Sequence, residues 1–191
     1  MTATLVLAAV LAALCTTFLG LVDAGRELDA TLSRFEAEAA ALHRATGDTV
    51  QHGAPADAIA RPRTSLKRMI DSLPANADRI VRSSAPRYVG GLASSLADRI
   101  DLRPASDDID RAYSDYLDQT TQAQAEKART AGAIELRSRL LDLSHGMLAQ
   151  RISEARERTR RGVASALNGL QLITFISIGI AALAVGLTGD R

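Results

Sequence analysis

The sequence predicts an all-α fold. Two terminal transmembrane helices are joined by an elongated antiparallel helical hairpin or coiled-coil bundle with short capping helices. Three observations lead there. Residues 2–22 and residues 170–188 carry no charged side chain. A helix rises ~1.5 Å per residue, so either run crosses the ~30 Å hydrocarbon layer of a bilayer. Between the runs, apolar and small residues recur every three to four positions, the period of a helix face. All five prolines fall between positions 55 and 104, so helix breaks are expected there and nowhere else.

The first element, residues 1–22, is read as transmembrane helix 1. A cleaved signal peptide would begin with basic residues and end at a small-residue site. No Lys or Arg precedes Arg26 here, and the bulky Leu14 directly before Cys15 spoils a lipoprotein-type box. The second element, residues 23–53, continues the same helix. Leu28, Leu32, Phe35, Ala39, Leu42, Thr46 and Val50 form a seam close to a 3.5-residue repeat. It ends between Gly47 and Gly53 and projects ~35–45 Å from the bilayer.

Residues 54–104 are expected to form a cap of two or three short amphipathic helices, cut by Pro55, Pro62, Pro74, Pro86 and Pro104. The pieces are 65–73, 76–84 and 87–100, the last weakened by Gly90 and Gly91. One helix from 75 to 101, kinked at Pro86, is the alternative. Residues 105–169 are predicted to form one long return helix. Ser106 is placed to cap it, with Asp107, Asp108 and Asp110 at the positive end of its dipole. Its stripe runs through Ile109, Tyr113, Tyr116, Thr120, Ala123, Lys127, Thr130, Ile134, Arg137, Leu141, Met147 or Leu148, Ile152, Ala155, Val163 and Ala166, interrupted by polar members and by Gly132 and Gly146. This helix leads straight into transmembrane helix 2, residues 170–188, whose strongly polar member is Gln171 at the edge.

Charge sets the expected orientation. Of 23 Lys and Arg, 22 lie between Arg26 and Arg161. The positive-inside rule puts the middle in the cytoplasm and both termini outside, in a two-pass protein of the inner membrane. Arg151, Arg156, Arg158, Arg160 and Arg161 precede the second span, where basic residues attract anionic lipid headgroups. Small residues at four-residue spacing mark expected packing faces within the membrane: Ala8, Ala12, Thr16 and Gly20 in the first span, Ser177 with Ala181 and Ala182 with Gly186 in the second. A two-helix stalk with many Ala and Thr seam positions buries little surface, so a homo-oligomer is expected. Arg outnumbers Lys by 21 to 2, a bias of bacterial genomes rich in GC.

The chemistry expected of this chain is sparse. The balance of 23 basic and 22 acidic residues does not suit a nucleic-acid binder. His43, His52 and His145 lie far apart in sequence. The helical pairs Asp48–His52 and Asp142–His145 supply two ligands each, fewer than a metal site needs. In the run 142–145, Ser144 and His145 are adjacent and point apart on a helix, so no nucleophile meets a base. The acids Asp107, Asp108, Asp110, Asp115 and Asp118 lack the spacing of an EF-hand loop. Neither glycine-rich phosphate motif is present, and Cys15 sits at lipid level, where a thiol reacts poorly. No metal, no cofactor and no enzymatic activity are therefore expected.

What remains is a membrane-anchored helical interaction or assembly protein, with membrane lipid, further copies of itself and an unidentified protein as partners. One alternative is an extracytoplasmic sensor. The layout of span, helices and span is similar to the four-helix sensor regions of bacterial chemoreceptors, in architecture and without a shared motif. A second is an oligomeric pore lined by Thr16, Thr17, Thr174 and Ser177.

Overall fold

Residues 2–52 meet no proline, and the seam through them has a helical period, so nothing interrupts helix formation. The computed structural model describes residues 2–52, 57–84, 101–125 and 131–189, with side chains for 8–52, 58–83, 101–122, 132–180 and 182–183. It is all-helical, and no strand occurs among the described residues. Helix α1 is Thr2–His52, α2 Asp57–Ser84, α3 Arg103–Ala125 and α4 Ala131–Gly189.

The chain divides into two compact units. One comprises Met1–Leu28, Ala77–Asp101 and Thr159–Arg191. In it, Leu14 and Leu21 of α1 cluster with Ala166 and Leu170 of α4, and Phe18, Leu167 and Ile173 pack against them. Gly25 allows close approach: a Cβ there would lie 3.2 Å from Cγ1 of Val163.

The other unit comprises Asp29–Asn76 and Leu102–Arg158. Four helical segments share its interior, each burying one stripe. These are Leu32, Phe35, Ala39 and Leu42 of α1, Leu66, Ile70 and Leu73 of α2, Ile109, Tyr113 and Tyr116 of α3, and Leu141, Leu148, Ile152 and Ala155 of α4. The α1 stripe is the seam read from the sequence, with Leu28 and Thr46 buried as well and Val50 half-buried.

Two local expectations are corrected. First, Pro62 and Pro74 do not cut the chain; both lie inside the single helix α2. A proline in a helix interior costs ~3 kcal/mol. Burial of Ile59, Leu66, Ile70, Leu73, Ala77 and Ile80 along one face offsets it, at ~1.5–3 kcal/mol for each large side chain. Second, Ser106 does not cap α3. The helix begins at Arg103, with Pro104 in its first turn, where a missing N–H is harmless. The Ser106 amide donates to the Leu102 carbonyl at 2.8 Å. Its buried hydroxyl donates to the Ile70 carbonyl of α2 at 3.3 Å. That carbonyl sits four residues before Pro74, which has no N–H to offer it. Of the expected return segment, α3 and α4 are described; residues 126–130 between them, with the stripe positions Lys127 and Thr130, lie outside the described residues, as does the side chain of Ala123. The expected piece 87–100 also lies outside the described residues.

Candidate functional site

Among the described residues, two helices are long and apolar enough to cross a membrane. The most apolar stretch of α1 has mean hydropathy 1.8 and that of α4 1.7. A core helix would bury such a stretch, yet only 22% and 11% of them is buried within the chain. Leu172, Phe175, Ile176, Ile178, Ile180 and Leu183 of α4 are all exposed, Phe175 by 73%. At about 100° per residue these six spread around more than half of the helix circumference. Leu19 and Val10 of α1 are exposed too, as is Cys15.

Among the described side chains, none of the small residues of the expected stripes is fully buried. Ala8, Ala12 and Thr16 are exposed and Gly20 is half-buried; Ser177 is half-buried and Ala182 exposed. Ala181 and Gly186 lie outside the described side chains. The contact of α1 with α4 runs through Leu14, Leu21, Ala166 and Leu170. The hydroxyls of the apolar stretches turn back on their own helices. Thr16 and Thr17 donate to the Ala13 carbonyl, Thr174 to that of Leu170 and Ser177 to that of Ile173.

The five arginines do not form one uniform patch. Arg156 is half-buried and grips Asp29 with two hydrogen bonds, Nε to Oδ1 at 2.6 Å and Nη2 to Oδ2 at 2.9 Å. It also donates to Ser33 Oγ at 2.9 Å and lies 3.6 Å from Glu36. The Asp29 hydrogen bonds hold its guanidinium above the ordinary arginine range. Arg151 pairs with Glu154 on its own helix at 2.9 Å, and Arg158 reaches Asp108 of α3 at 3.5 Å. Arg151, Arg158, Arg160 and Arg161 are exposed.

A polar cluster lies where α1, α3 and α4 meet. The rings of His43 and His145 stack, with centroids 4.2 Å apart and planes 5° from parallel. Asp142 joins His43, Oδ1 to Nε2 at 3.1 Å, rather than His145 on its own helix. The Tyr116 hydroxyl lies 3.5 Å from His43 Nδ1, and its ring meets His145 edge-on at 6.4 Å. His145 Nδ1 is buried without a hydrogen-bond partner. A neutral ring bears this most easily with its proton on Nε2, since a lone pair is cheaper to bury than an unsatisfied N–H⁺. Burial, then the neighbouring His43, pushes the His145 ring below the ordinary imidazole range, and Asp142 opposes. Burial likewise raises the Tyr116 phenol, which stays protonated at neutral pH.

A second cluster joins α2 to α3. Lys67 lies 2.8 Å from both Asp71 and Asp110, whose hydrogen bonds hold its ammonium well above the usual lysine range. The Tyr113 hydroxyl donates to the Arg63 carbonyl at 2.9 Å. These residues border an open cleft of about 680 Å³. Asp108 and Asp110 thus serve ion pairs between and along helices. Among the described residues no group of three or more His, Cys, Asp or Glu is placed to hold a metal ion.

Sequence reasoning missed the histidine pair, because nothing local says that residues so far apart share a level of the bundle. The available signal was phase. His43 directly follows the seam residue Leu42, and His145 lies three and four residues from Leu148 and Leu141. No protein-family model matches the chain, nor does any curated protein or solved structure.

Proposed function

We propose that this chain is a membrane-anchored helical interaction or assembly protein. Residues 2–22 and 170–188 span the inner membrane. The helices between them form an antiparallel coiled-coil bundle that oligomerises and is offered to protein partners. The observation that carries the reading is the outward apolar face of α4, from Leu172 to Leu183. Water-soluble chains rarely leave so large a continuous apolar surface uncovered. The absence of Asp, Glu, Lys, Arg and His from both runs supports it.

The confinement of 22 of the 23 Lys and Arg to the segment between the two runs supports a cytoplasmic bundle with both termini outside. Arg151, Arg158, Arg160 and Arg161 are the arginines best suited to lipid headgroups, being exposed. Arg156 is half-buried, with both oxygens of Asp29 engaged by its guanidinium, and suits that role less. The pore reading is weakened by its hydroxyls, which bond to their own helices. An enzymatic role finds no support in the clusters described.

Cysteine accessibility tests both anchoring and orientation. Cys15 is replaced by Ser, and a single Cys is introduced at the exposed Ala58. The chain should stay with the membrane after alkaline carbonate washing. A membrane-impermeant maleimide should label it only after the cells are opened. Release by carbonate would remove the anchoring. Labelling of intact cells would reverse the orientation and favour the extracytoplasmic sensor.

A further inference from the structure

We propose that the stacked His43–His145 pair is an acid-sensitive latch between α1 and α4. The geometry carries the proposal. Two imidazoles lie face to face at 4.2 Å, one supplied by each helix. Neutral rings stack favourably at that distance, whereas two imidazolium ions so placed repel each other. Protonation therefore turns an attractive contact into a repulsive one.

The surroundings compensate one charge and not two. From α4, Asp142 reaches His43 at 3.1 Å. From α3, Tyr116 faces both rings with a protonated phenol, which carries no compensating charge. From α1, Arg44 and Asp48 line the cleft beside His43, and their opposite charges cancel to first order. A proton on His145 Nδ1 would create a buried N–H⁺ without an acceptor. The second proton is thus accepted at least cost by separating the helices and letting water reach the rings. Histidine is the side chain that switches charge in mild acid, and the buried His145 takes its proton at a lower pH than a free imidazole.

The device is local. The Asp29–Arg156 pair holds the same two helices at another level of this unit, and its guanidinium stays charged across this range. Opening is expected beyond the histidines, toward Gln51 on α1 and Leu136 on α4. This inference does not depend on the membrane reading.

The test uses the full chain in mild detergent micelles, which hold it whether or not its apolar runs cross a bilayer, with Cys15→Ser and spin labels on Gln51→Cys and Leu140→Cys, both exposed positions. Distances are measured by pulsed electron paramagnetic resonance at pH 8 and pH 5. The ratio of long to short separations should rise about tenfold at pH 5, because rings freed into water accept a proton that the closed stack resists. His145→Phe and His43→Phe keep a stacked ring that cannot titrate, and each should remain closed at pH 5. An unchanged wild-type distribution overturns the proposal. So does opening of both Phe variants to the wild-type extent. If a Phe variant loses its helicity, proton resonances of the wild-type rings decide. Coupled titration supports the latch, and two independent free-imidazole curves overturn it.

Discussion

The hydroxyl of Ser106 on α3 donates to the carbonyl of Ile70 on α2, which Pro74 deprives of its helical partner. One helix thereby repairs a backbone defect in another. We expect Ser106→Ala to destabilise the chain by ~1–3 kcal/mol, the cost of stranding a buried acceptor. Pro74→Ala restores an N–H at the right place, so the same Ser106→Ala change should then cost less. A double-mutant cycle by denaturant unfolding in detergent micelles measures the coupling. Additive costs would mean the hydroxyl does not serve that carbonyl.

Leu148 is fully buried on α4, while Leu143, little more than a turn away, is 66% exposed. Leu148→Ala should cost ~2–5 kcal/mol through the cavity it leaves. Leu143→Ala in the monomeric chain should stay within ~0.5 kcal/mol of wild type. Thermal melts of both variants compare them directly.

Arg156→Lys keeps the charge but loses the two-point grip on Asp29. Lysine cannot reproduce the fork that meets both carboxylate oxygens. The melting temperature should fall. The matching change Arg139→Lys removes only an exposed same-helix pair with Glu135 and should leave it unchanged. Equal effects of the two would show that the Asp29 contact contributes no more than a surface pair.

Stability should have an acid edge and an alkaline edge. His145 has a folded value below the ordinary 6.5. The unfolded chain therefore binds the proton more readily. Its contribution is complete above about pH 6.5. It is lost as pH falls through the folded value. Tyr113 and Tyr116 have raised values, both from burial. Their contribution is complete below ~pH 10 and lost as pH rises through the folded values. Ultraviolet titration of a Tyr88→Phe variant reads these two phenols alone. Their ionisation should be delayed relative to free tyrosine.

Phe175→Arg separates lipid from water around the second apolar run. At the centre of a span, arginine raises the insertion free energy by ~2.5–3.5 kcal/mol. Membrane insertion measured with a reporter fusion should drop markedly. A helix that faced water at this point would accept the change without loss.

Much of the fold is legible because it is periodic. Leu28, Leu32, Phe35, Ala39, Leu42 and Thr46 repeat at helical spacing, and all are buried. Charge-free runs are equally plain, since their length alone matches a bilayer. The continuity of α2 was not legible. A proline announces the hydrogen bond it removes, but the repair comes from Ser106, 36 residues beyond Ile70. The candidate cluster was hidden for a related reason. Asp142 and His145 share a helix and read as a pair, yet the bundle turns Asp142 toward His43. Local spacing reports who can meet along one helix, and packing decides who does.

The threonine and serine hydroxyls of the apolar stretches add a final consequence. Thr16, Thr17, Thr174 and Ser177 each donate to a carbonyl one turn back along their own helix. Such a side chain presents its methyl or methylene to its surroundings. In a bilayer these positions would behave as small apolar knobs, so neighbouring helices would be told apart by contour and not by polarity. Replacing such a threonine by valine should then be nearly silent, while replacing it by leucine should not.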